Sequence, residues 1–225
     1  MEDLSTKMRT YLAEIYRLAD REQPEDGFVS TSALADMLLV SPPAVNRMVN
    51  RLKELGLIEH EPYQGIKLTG QGTKEALQHL RAHRIAESFL ARVMGFDWDG
   101  VYTEASQISS ALSATIIDRM AAMSGNPQYC PHGEPIPQDD GDIQAMNDIF
   151  LSDADAATMV EVTRMRTREA DRLSYIEALG LMPGKQLEVI HKAPFNGPMQ
   201  LKINNEFRII GHNLAELIRV RVVEE

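Results

Sequence analysis

The chain has 225 residues, of which 44% are hydrophobic and 25% are charged, and its formal net charge is −10. This composition is typical of a globular protein with two or three small domains, and the acidic balance argues against non-specific coating of nucleic acid. The single cysteine excludes an internal disulfide, and because no apolar stretch approaches the roughly 20 residues that span a bilayer, we expect a cytoplasmic protein with no membrane partner.

The first part of the chain carries the helical pattern of a helix-turn-helix. Residues 7–19 have apolar positions at the spacing of an amphipathic helix, and Thr31 can cap the helix that follows. Ser41 is a good cap for a further helix, with Pro42 and Pro43 in its first turn, where a missing N–H group costs nothing. The start of this further helix is therefore unusually well marked.

The helix that opens at Ser41 has the composition of a recognition helix, and a wing follows it. Residues 41–53 include three basic residues and no acidic one, although residues 1–70 together hold 8 Lys and Arg against 11 Asp and Glu. Gly56 ends the helix, and residues 57–69 read as a β-hairpin with a glycine at its tip. Small, amide and guanidinium side chains on the outer face can reach bases or phosphates in a major groove. The residues predicted to contact DNA are Thr31, Ser41, Pro42, Pro43, Ala44, Asn46, Arg47, Asn50, Arg51, Tyr63 and Lys67.

The middle of the chain is predicted to be helical and then irregular. Residues 72–94 read as one long helix, and residues 103–123 as one or two more with few charges. Such low-charge helices need a partner surface, and a homodimer is the economical interpretation because a two-fold symmetric DNA site needs two recognition helices. From residue 124 onward proline, glycine and aspartate are frequent, which predicts a linker.

The last part of the chain is predicted to be a small barrel. Short strand-like segments alternate with Gly, Pro and Asn turns, and one helix is predicted at residues 167–179. The predicted strands are residues 159–165, 186–191, 199–203, 207–210 and 217–223. Their number and length suggest an SH3-like unit.

His83 and Glu87 interrupt an apolar seam of the long helix. At helical spacing this seam consists of Ala76, Leu80, His83, Glu87, Leu90 and Met94. One turn apart, an imidazole and a carboxylate can point at the same divalent metal ion. The alternative is a His–Glu hydrogen bond, or a salt bridge to Arg84 or Arg81, without any metal. His79 lies at the edge of the same face and either extends the cluster or is solvated.

Cys130 and His132 lie in the proline-rich sequence CPHG. Two candidate ligands at this spacing are too few for a structural zinc site. We therefore favour a proline-rich turn over a metal or redox site at these positions.

Several motifs together resemble the diphtheria toxin repressor family of iron- and manganese-dependent transcription regulators. They are YLAEIY (11–16), VSPPAVNRMVNRL (40–52), GIKLTGQG (65–72), HRIAE (83–87), YTEAS (102–106), CPHGEPIP (130–137) and ALGLMPG (178–184). The resemblance implies a homodimer that binds a palindromic double-stranded DNA operator when a divalent metal ion, Mn²⁺ or Fe²⁺, orders its DNA-binding heads.

The resemblance also implies a fold. We expect a mainly α protein with α+β parts: a winged helix-turn-helix DNA-binding domain (1–72), a helical dimerisation and metal-binding domain (73–142), and an SH3-like domain of the ferrous-transport-A type (143–225).

The family's ancillary metal site is partly kept in this sequence. His83 and Glu87 match its ligands, and Glu169 aligns with an acidic ligand that the third domain donates. Tyr102 and Arg172 stand where the family has a histidine and a glutamine. The resemblance therefore predicts His83, Glu87 and Glu169 as metal ligands, with His79 less favoured.

The family's primary metal site falls on hydroxyl side chains here. In place of sulfur, carboxylate and imidazole ligands, the sequence has Thr10, Ser106, Ser109 and Ser110. Neutral hydroxyls are poor ligands for iron or manganese, so we expect no primary site of the family's kind. Glu104 could help to assemble a different site or could simply begin a helix.

The leading hypothesis is a DNA-binding repressor of metal homeostasis with a metal ion as co-regulator. The alternative is a related regulator that has lost primary-site metal control and binds DNA constitutively or with another effector. An enzyme that uses His83 and Glu87 is disfavoured because no nucleophile motif or phosphate loop accompanies the pair. Helix-turn-helix units that bind no nucleic acid, and an interaction protein acting through the SH3-like unit, remain weaker alternatives.

Overall fold

The computed structural model describes residues 4–223 and contains eight α-helices and eight β-strands within that range. The helices are α1 (Thr6–Glu22), α2 (Thr31–Leu38), α3 (Pro42–Glu54), α4 (Gly70–Arg92), α5 (Val101–Ile108), α6 (Ala114–Met123), α7 (Ala170–Ala178) and α8 (His212–Ala215). The strands are β1 (Ile58–Glu61), β2 (Gly65–Leu68), β3 (Ile149–Phe150), β4 (Thr158–Met165), β5 (Gln186–Lys192), β6 (Met199–Ile203), β7 (Glu206–Ile210) and β8 (Ile218–Val222). No described helix is long and apolar enough to cross a membrane.

The chain divides into two compact units. The first runs through Ala82 and includes Pro137–Asp142, and the second consists of His83–Ile136 and the chain from Ile143 onward. The helix α4 therefore contributes its first part to one unit and its last part to the other.

The first unit is a winged helix-turn-helix. Its helices α1, α2 and α3 enclose an apolar core, and β1 and β2 form an antiparallel hairpin after α3. The hairpin is joined to the rest by a bridge between Val29 and Ile66. The largest fully buried core side chains here are Tyr11, Leu12, Ile15, Leu34, Leu52 and Ile66.

The second unit contains a helical part and a β-sheet. The end of α4 packs with α5 and α6 around side chains such as Leu90, Val101 and Met120. The sheet is antiparallel with strand order β3-β8-β4-β5-β6-β7, and α7 packs on its core through Leu173 and Ile176. The short β3 and α8 are elements that the sequence pattern did not predict.

The segment predicted as a linker is folded over part of its length. Cys130, His132 and Ile136 are buried, and Tyr129 forms a β-bridge with Pro135. In residues 130–136 the chain therefore forms a turn packed within the second unit rather than a solvated connection.

Candidate functional site

The recognition helix α3 begins as predicted, but its cap differs from the expectation. Ser41 has extended backbone angles (φ −69°, ψ 147°) and precedes two prolines, yet its side chain makes no capping hydrogen bond. The inner face of α3 buries Val45, Val49 and Leu52. Since this apolar face already holds the helix, the hydroxyl of Ser41 is left for another partner.

The cap of α2 was predicted one residue too late. Ser30, and not Thr31, is the N-cap, because the Ser30 hydroxyl accepts hydrogen bonds from the backbone N–H groups of Ser32 and Ala33. Thr31 is instead the first residue of the helix and is half-buried.

The predicted DNA-contacting residues lie mostly on the surface of the first unit. Eight of them are exposed, and Thr31, Ala44 and Lys67 are half-buried. The exposed ones are Ser41, Pro42, Pro43, Asn46, Arg47, Asn50, Arg51 and Tyr63.

The wing is braced by contacts within the first unit. Tyr63 lies at its tip with a left-handed backbone (φ 68°), and Lys67 Nζ donates a 2.9 Å hydrogen bond to the Asp26 carbonyl oxygen. Gly65 has a φ of +119°, and a Cβ there would lie 2.2 Å from the Val29 carbonyl oxygen. Only glycine therefore fits this position of the hairpin without a backbone shift.

The helical seam ends earlier than the sequence suggested. His83 and Glu87 are 4% and 2% exposed, whereas Met94 lies beyond the end of α4 and is 57% exposed. His83 Nε2 lies 3.8 Å from Glu87 Oε2, beyond a normal hydrogen bond. The imidazole and the carboxylate thus face each other inside the protein.

The two arginines considered as alternative partners bind elsewhere. Arg84 donates to the Pro135 carbonyl oxygen and pairs with Glu134 at 3.1 Å. Arg81 pairs with Asp139 at 2.6 Å and donates to the Pro137 carbonyl oxygen. Both guanidinium groups hold the CPHGEPIP segment and the residues directly after it.

The CPHG sequence forms a turn, as predicted, and the turn is buried. The Gly133 N–H donates to the Cys130 carbonyl oxygen, and the Cys130 N–H donates to the Glu134 carbonyl oxygen, each at 2.9 Å. Gly133 has a φ of +84°, and a Cβ there would lie 1.9 Å from the Thr163 carbonyl oxygen of β4. The glycine therefore allows the turn to lie directly against the sheet.

The turn brings Cys130 and His132 next to Glu87. The ligand atoms of these three buried side chains lie within 4.8 Å of one another. His132 Nδ1 is 3.0 Å from Glu87 Oε1, and His132 Nε2 is 3.0 Å from the Trp98 carbonyl oxygen. No local pattern of the sequence joins Glu87 to these two residues, and the spacing of cysteine and histidine in CPHG is the one local signal of the cluster.

Both ring nitrogens of His132 lie 3.0 Å from an oxygen atom, one of Glu87 and one of Trp98. A carbonyl oxygen can only accept, so Nε2 of His132 carries the hydrogen that it donates to Trp98. The other nitrogen then faces an oxygen of Glu87, which also accepts when the carboxylate is ionised. A proton or a metal cation between these two atoms satisfies both.

Burial changes the pKa of two further side chains, one in each unit. In the second unit, burial raises the pKa of the Cys130 thiol well above its usual value, and the Glu87 carboxylate raises it further. In the first unit, burial lowers the pKa of His79, and the charge of Arg17 lowers it further.

The remaining ancillary-site positions are occupied by other contacts. The Tyr102 ring lies edge-on to His83 with centroids 4.6 Å apart, and the Arg168 guanidinium lies 4.9 Å from the Tyr102 ring centroid. Glu169 is the N-cap of α7; its side chain is 65% exposed and pairs with Arg172 at 2.9 Å. The structure therefore brings His83 and Glu87 together, whereas the carboxylate of Glu169 faces an arginine.

The primary-site positions carry no ligand of the family's kind. Thr10 and Ser106 each donate their hydroxyl to the carbonyl oxygen one turn earlier, at Thr6 and Tyr102. Ser109 is buried and Ser110 is exposed. Glu104 is an exposed residue in the first turn of α5.

A network of charges joins the turn to the sheet within the second unit. Glu134 pairs with Arg164 at 3.4 Å and with Arg166 at 3.2 Å. Arg164 also pairs with the buried Asp148 at 2.9 Å, and Arg219 pairs with the same carboxylate at 2.8 Å. The Met165 N–H donates to the His132 carbonyl oxygen, which adds a direct backbone link.

Three family models match successive parts of the chain. Residues 3–66 match the iron dependent repressor N-terminal DNA binding domain, residues 69–138 its metal binding and dimerisation domain, and residues 149–222 the FeoA domain.

Related proteins cover the chain from end to end. The iron-dependent repressor IdeR of Mycobacterium tuberculosis is 25% identical over 99% of this chain and 100% of its own length. An uncharacterized HTH-type transcriptional regulator of Methanocaldococcus jannaschii is 34% identical over 52% of this chain and 91% of its own length. A solved manganese-dependent transcriptional repressor in complex with manganese has a TM-score of 0.88 and 28% identity, covering 96% of this chain and 100% of that one.

These matches and the winged helix define the class to which the chain belongs, the family of metal-dependent transcriptional repressors. The chain belongs to the iron-dependent repressor family, which includes the diphtheria toxin repressor. The predicted fold class is confirmed, including the SH3-like FeoA domain. Because this is a family of transcriptional repressors, the enzyme hypothesis is set aside.

Proposed function

We propose that this protein is a homodimeric, sequence-specific DNA-binding repressor of metal homeostasis in which Mn²⁺ or Fe²⁺ acts as co-regulator. The observation that carries the proposal is a polar DNA-reading surface on α3 in the same chain as a buried cluster of carboxylate, thiol and imidazole. The first feature suits an operator, and the second suits a divalent metal ion. The division into domains 1–72, 73–142 and 143–225 stays part of this proposal.

The surface of the second unit supports a homodimer. Large apolar side chains are exposed at the end of α4 and along α5 and α6, where a monomer would leave them in water. They are Val93, Met94, Phe96, Ile108, Ile116 and Met123. A palindromic operator requires two recognition helices, so self-association through this surface would supply the second.

The chemistry of the available side chains indicates which of the candidate sites can bind Mn²⁺ or Fe²⁺. Hydroxyls at Thr10, Ser106, Ser109 and Ser110 do not fit iron or manganese, so no step of the proposal depends on a primary site. His83 and Glu87 fit as an imidazole and a carboxylate one turn apart, and Glu87, Cys130 and His132 offer three ligand types within 4.8 Å.

Glu87 is common to both candidate sets. Its Oε1 faces His132 and its Oε2 faces His83, so one carboxylate serves two imidazoles. Glu169 enters only if its pair with Arg172 opens. We therefore place the co-regulator at Glu87, with Cys130, His132 and His83 as the nearest further ligands. The thiol favours Fe²⁺ over Mn²⁺ at this position.

The chain's own residues provide a route from this site to the third domain. A divalent metal ion would be held here by Glu87, Cys130 and His132, whose ligand atoms lie within 4.8 Å of one another. The turn that carries Cys130 and His132 is held to β4 by the Met165 N–H and by the ion pairs of Glu134. Fixing the turn would therefore restrict the SH3-like domain, a coupling of about 1 to 3 kcal/mol.

Operator binding tests the proposal directly. Selection from a random double-stranded DNA library with the full-length protein and Mn²⁺ or Fe²⁺ should enrich a palindromic sequence. Fluorescence anisotropy on that sequence should show at least a tenfold loss of affinity after chelation, and Glu87→Gln should remove the metal effect. Failure to enrich any sequence would contradict the DNA part.

Spectroscopy with Co²⁺ tests the metal part without DNA. Cys130 is the only cysteine in the chain, so a thiolate-to-cobalt charge-transfer band reports that residue alone. We expect the band in the wild-type protein, its loss in Cys130→Ser, and no change in the matched surface variant His191→Gln. Cobalt binding without the band would remove Cys130 from the ligand set.

A second candidate function has its own support. The hydroxyl side chains at the four primary-site positions favour a regulator that binds DNA constitutively or with another effector. Operator affinity that is the same with and without chelator would establish this alternative and end the metal-switch proposal.

A further inference from the structure

The outer face of α3 presents one group of side chains to a DNA groove. Pro43, Asn46, Arg47 and Asn50 follow one another at spacings of three, one and three residues, and all four are exposed. Helical geometry therefore places them on the same side, opposite the buried Val45, Val49 and Leu52. The N-terminal residues of a recognition helix are the ones that contact base edges, and this group begins in the first turn.

Four basic side chains lie on α3 and the wing, the part of the first unit called the reading head below, and they differ in their contacts within the protein. Arg51 pairs with Glu54 at 3.3 Å, and Lys53 Nζ donates to the His60 carbonyl oxygen at 2.9 Å. Lys67 Nζ donates to the Asp26 carbonyl oxygen at 2.9 Å. Arg47 alone of these four makes no hydrogen bond or ion pair within residues 4–223, the range that the structure describes.

This difference in contacts indicates different roles for the four basic side chains. Arg51, Lys53 and Lys67 hold the helix end, the strand β1 and the wing in place, and a contact to DNA would compete with those bonds. The side chain of Arg47 is exposed, makes no hydrogen bond or ion pair within residues 4–223, and lies among amide side chains rather than at the helix end; its charge interacts only electrostatically with Tyr11. It can enter a groove without breaking a contact of the folded protein.

The chemistry of a guanidinium in a major groove points to one base. Arginine forms two parallel hydrogen bonds to the O6 and N7 atoms of guanine, whereas asparagine pairs in the same way with adenine. We propose that Arg47 reads a guanine in each half-site of the operator and is a specificity-determining residue of this protein. The assignment rests on the proposed DNA-binding function and names the base that this function selects.

The competing role for Arg47 is a contact to a phosphate. A phosphate contact positions the protein but carries no sequence information, so its loss weakens binding to all sequences equally. A base contact instead changes preference at one position. The two roles are therefore separated by a comparison of sequences rather than by affinity alone.

The experiment compares DNA selection and binding by full-length wild-type protein, Arg47→Gln, and the matched variant Arg51→Gln from the same helix. For the wild type, replacing one guanine pair per half-site should weaken binding about 10- to 100-fold. In Arg47→Gln this discrimination should disappear at that position only and shift towards adenine. Arg51→Gln should keep the guanine preference.

The possible results distinguish a wrong role for Arg47 from a failure of the proposed DNA-binding function. Equal weakening of Arg47→Gln on every sequence, or an unchanged guanine preference, would overturn the role of Arg47 while DNA binding stands. If the wild-type protein enriches no sequence, the proposed function fails first. Circular dichroism of each variant confirms that α3 is folded, which is expected because position 47 faces solvent.

Discussion

The two units of this protein differ in where their polar and charged side chains lie. In the first unit the polar side chains of α3 lie outside, and the core behind them is almost entirely apolar. In the second unit Glu87, His132, Asp148, Arg164 and Arg219 are all buried. The first unit thus keeps several polar side chains of α3 at its surface, whereas the second unit encloses the ion pairs of Asp148 with Arg164 and Arg219.

Because of this difference, substitutions on α3 should change DNA specificity, whereas substitutions of the buried charges in the second unit should change stability. Exposed residues such as Asn46 and Arg47 can change what the protein reads at little cost to folding. A buried charge that loses its partner is costly, so the second unit cannot exchange its polar residues one at a time. The ligand positions of a metal site are constrained in the same way, because each ligand must have a partner whether or not the metal is bound.

The strongest test of this contrast is the charge network around Asp148. Asp148→Asn should lower the free energy of unfolding by about 3 to 5 kcal/mol, because Arg164 and Arg219 then lose the buried carboxylate that they share. Denaturant unfolding followed by circular dichroism measures this loss. The exposed pair of Glu161 with Arg221 provides the control, and Glu161→Gln should cost no more than about 1 kcal/mol.

The pH dependence of unfolding should report the same ion pairs of Asp148 with Arg164 and Arg219. Burial pushes the pKa of Asp148 upward, but hydrogen bonds from Arg164 and Arg219 prevail and hold it below its usual value. The carboxylate therefore contributes stability above pH of about 4, and this contribution is lost as the pH falls further. The stability difference between wild type and Asp148→Asn should shrink below that pH; a constant difference would contradict the assignment.

A smaller effect is expected at the glycine that lets the buried turn approach the sheet. Gly133→Ala places a Cβ against the Thr163 carbonyl oxygen at a φ of +84°, whereas Gly180 has a similar φ of +75° with no atom within 4 Å. Both alanines carry the left-handed strain, so Gly180→Ala is the matched control. We expect Gly133→Ala to cost about 1 to 3 kcal/mol more than the control in thermal or denaturant unfolding. Equal losses would mean that the turn does not pack tightly against the Thr163 carbonyl oxygen of β4.

The sequence predicted those features that depend on neighbours along the chain. Pro42 and Pro43 mark the start of α3 because their effect is local, and the spacing of His83 and Glu87 predicts a shared face because helical geometry fixes it. Both of these side chains are indeed buried on α4.

The features that were missed depend on contacts between distant segments. Cys130 and His132 join Glu87 across more than forty residues, and no local pattern encodes that approach. The composition of their segment predicted a linker, because prolines and glycines occur equally in solvated connections and in turns packed against a core. Only the packing of Gly133 against β4 distinguishes the two.

The smallest predicted effect contrasts two serines of the reading head itself. Ser30 and Ser41 are both N-caps, yet only the Ser30 hydroxyl accepts hydrogen bonds from its helix. Ser30→Ala should therefore cost about 1 kcal/mol in unfolding free energy. Ser41→Ala should change stability by no more than about 0.5 kcal/mol, because no capping bond is lost.

In operator binding the larger loss should come from Ser41→Ala, whereas in unfolding free energy it should come from Ser30→Ala. Ser41 is exposed at the start of α3, and its hydroxyl can donate a hydrogen bond to a phosphate, so Ser41→Ala should weaken binding to all operator sequences alike. Ser30→Ala should bind as the wild type does at temperatures where it is folded. If Ser41→Ala instead destabilises the protein as much as Ser30→Ala, then Ser41 caps α3 in solution, and even the reading head uses its surface polar groups for folding.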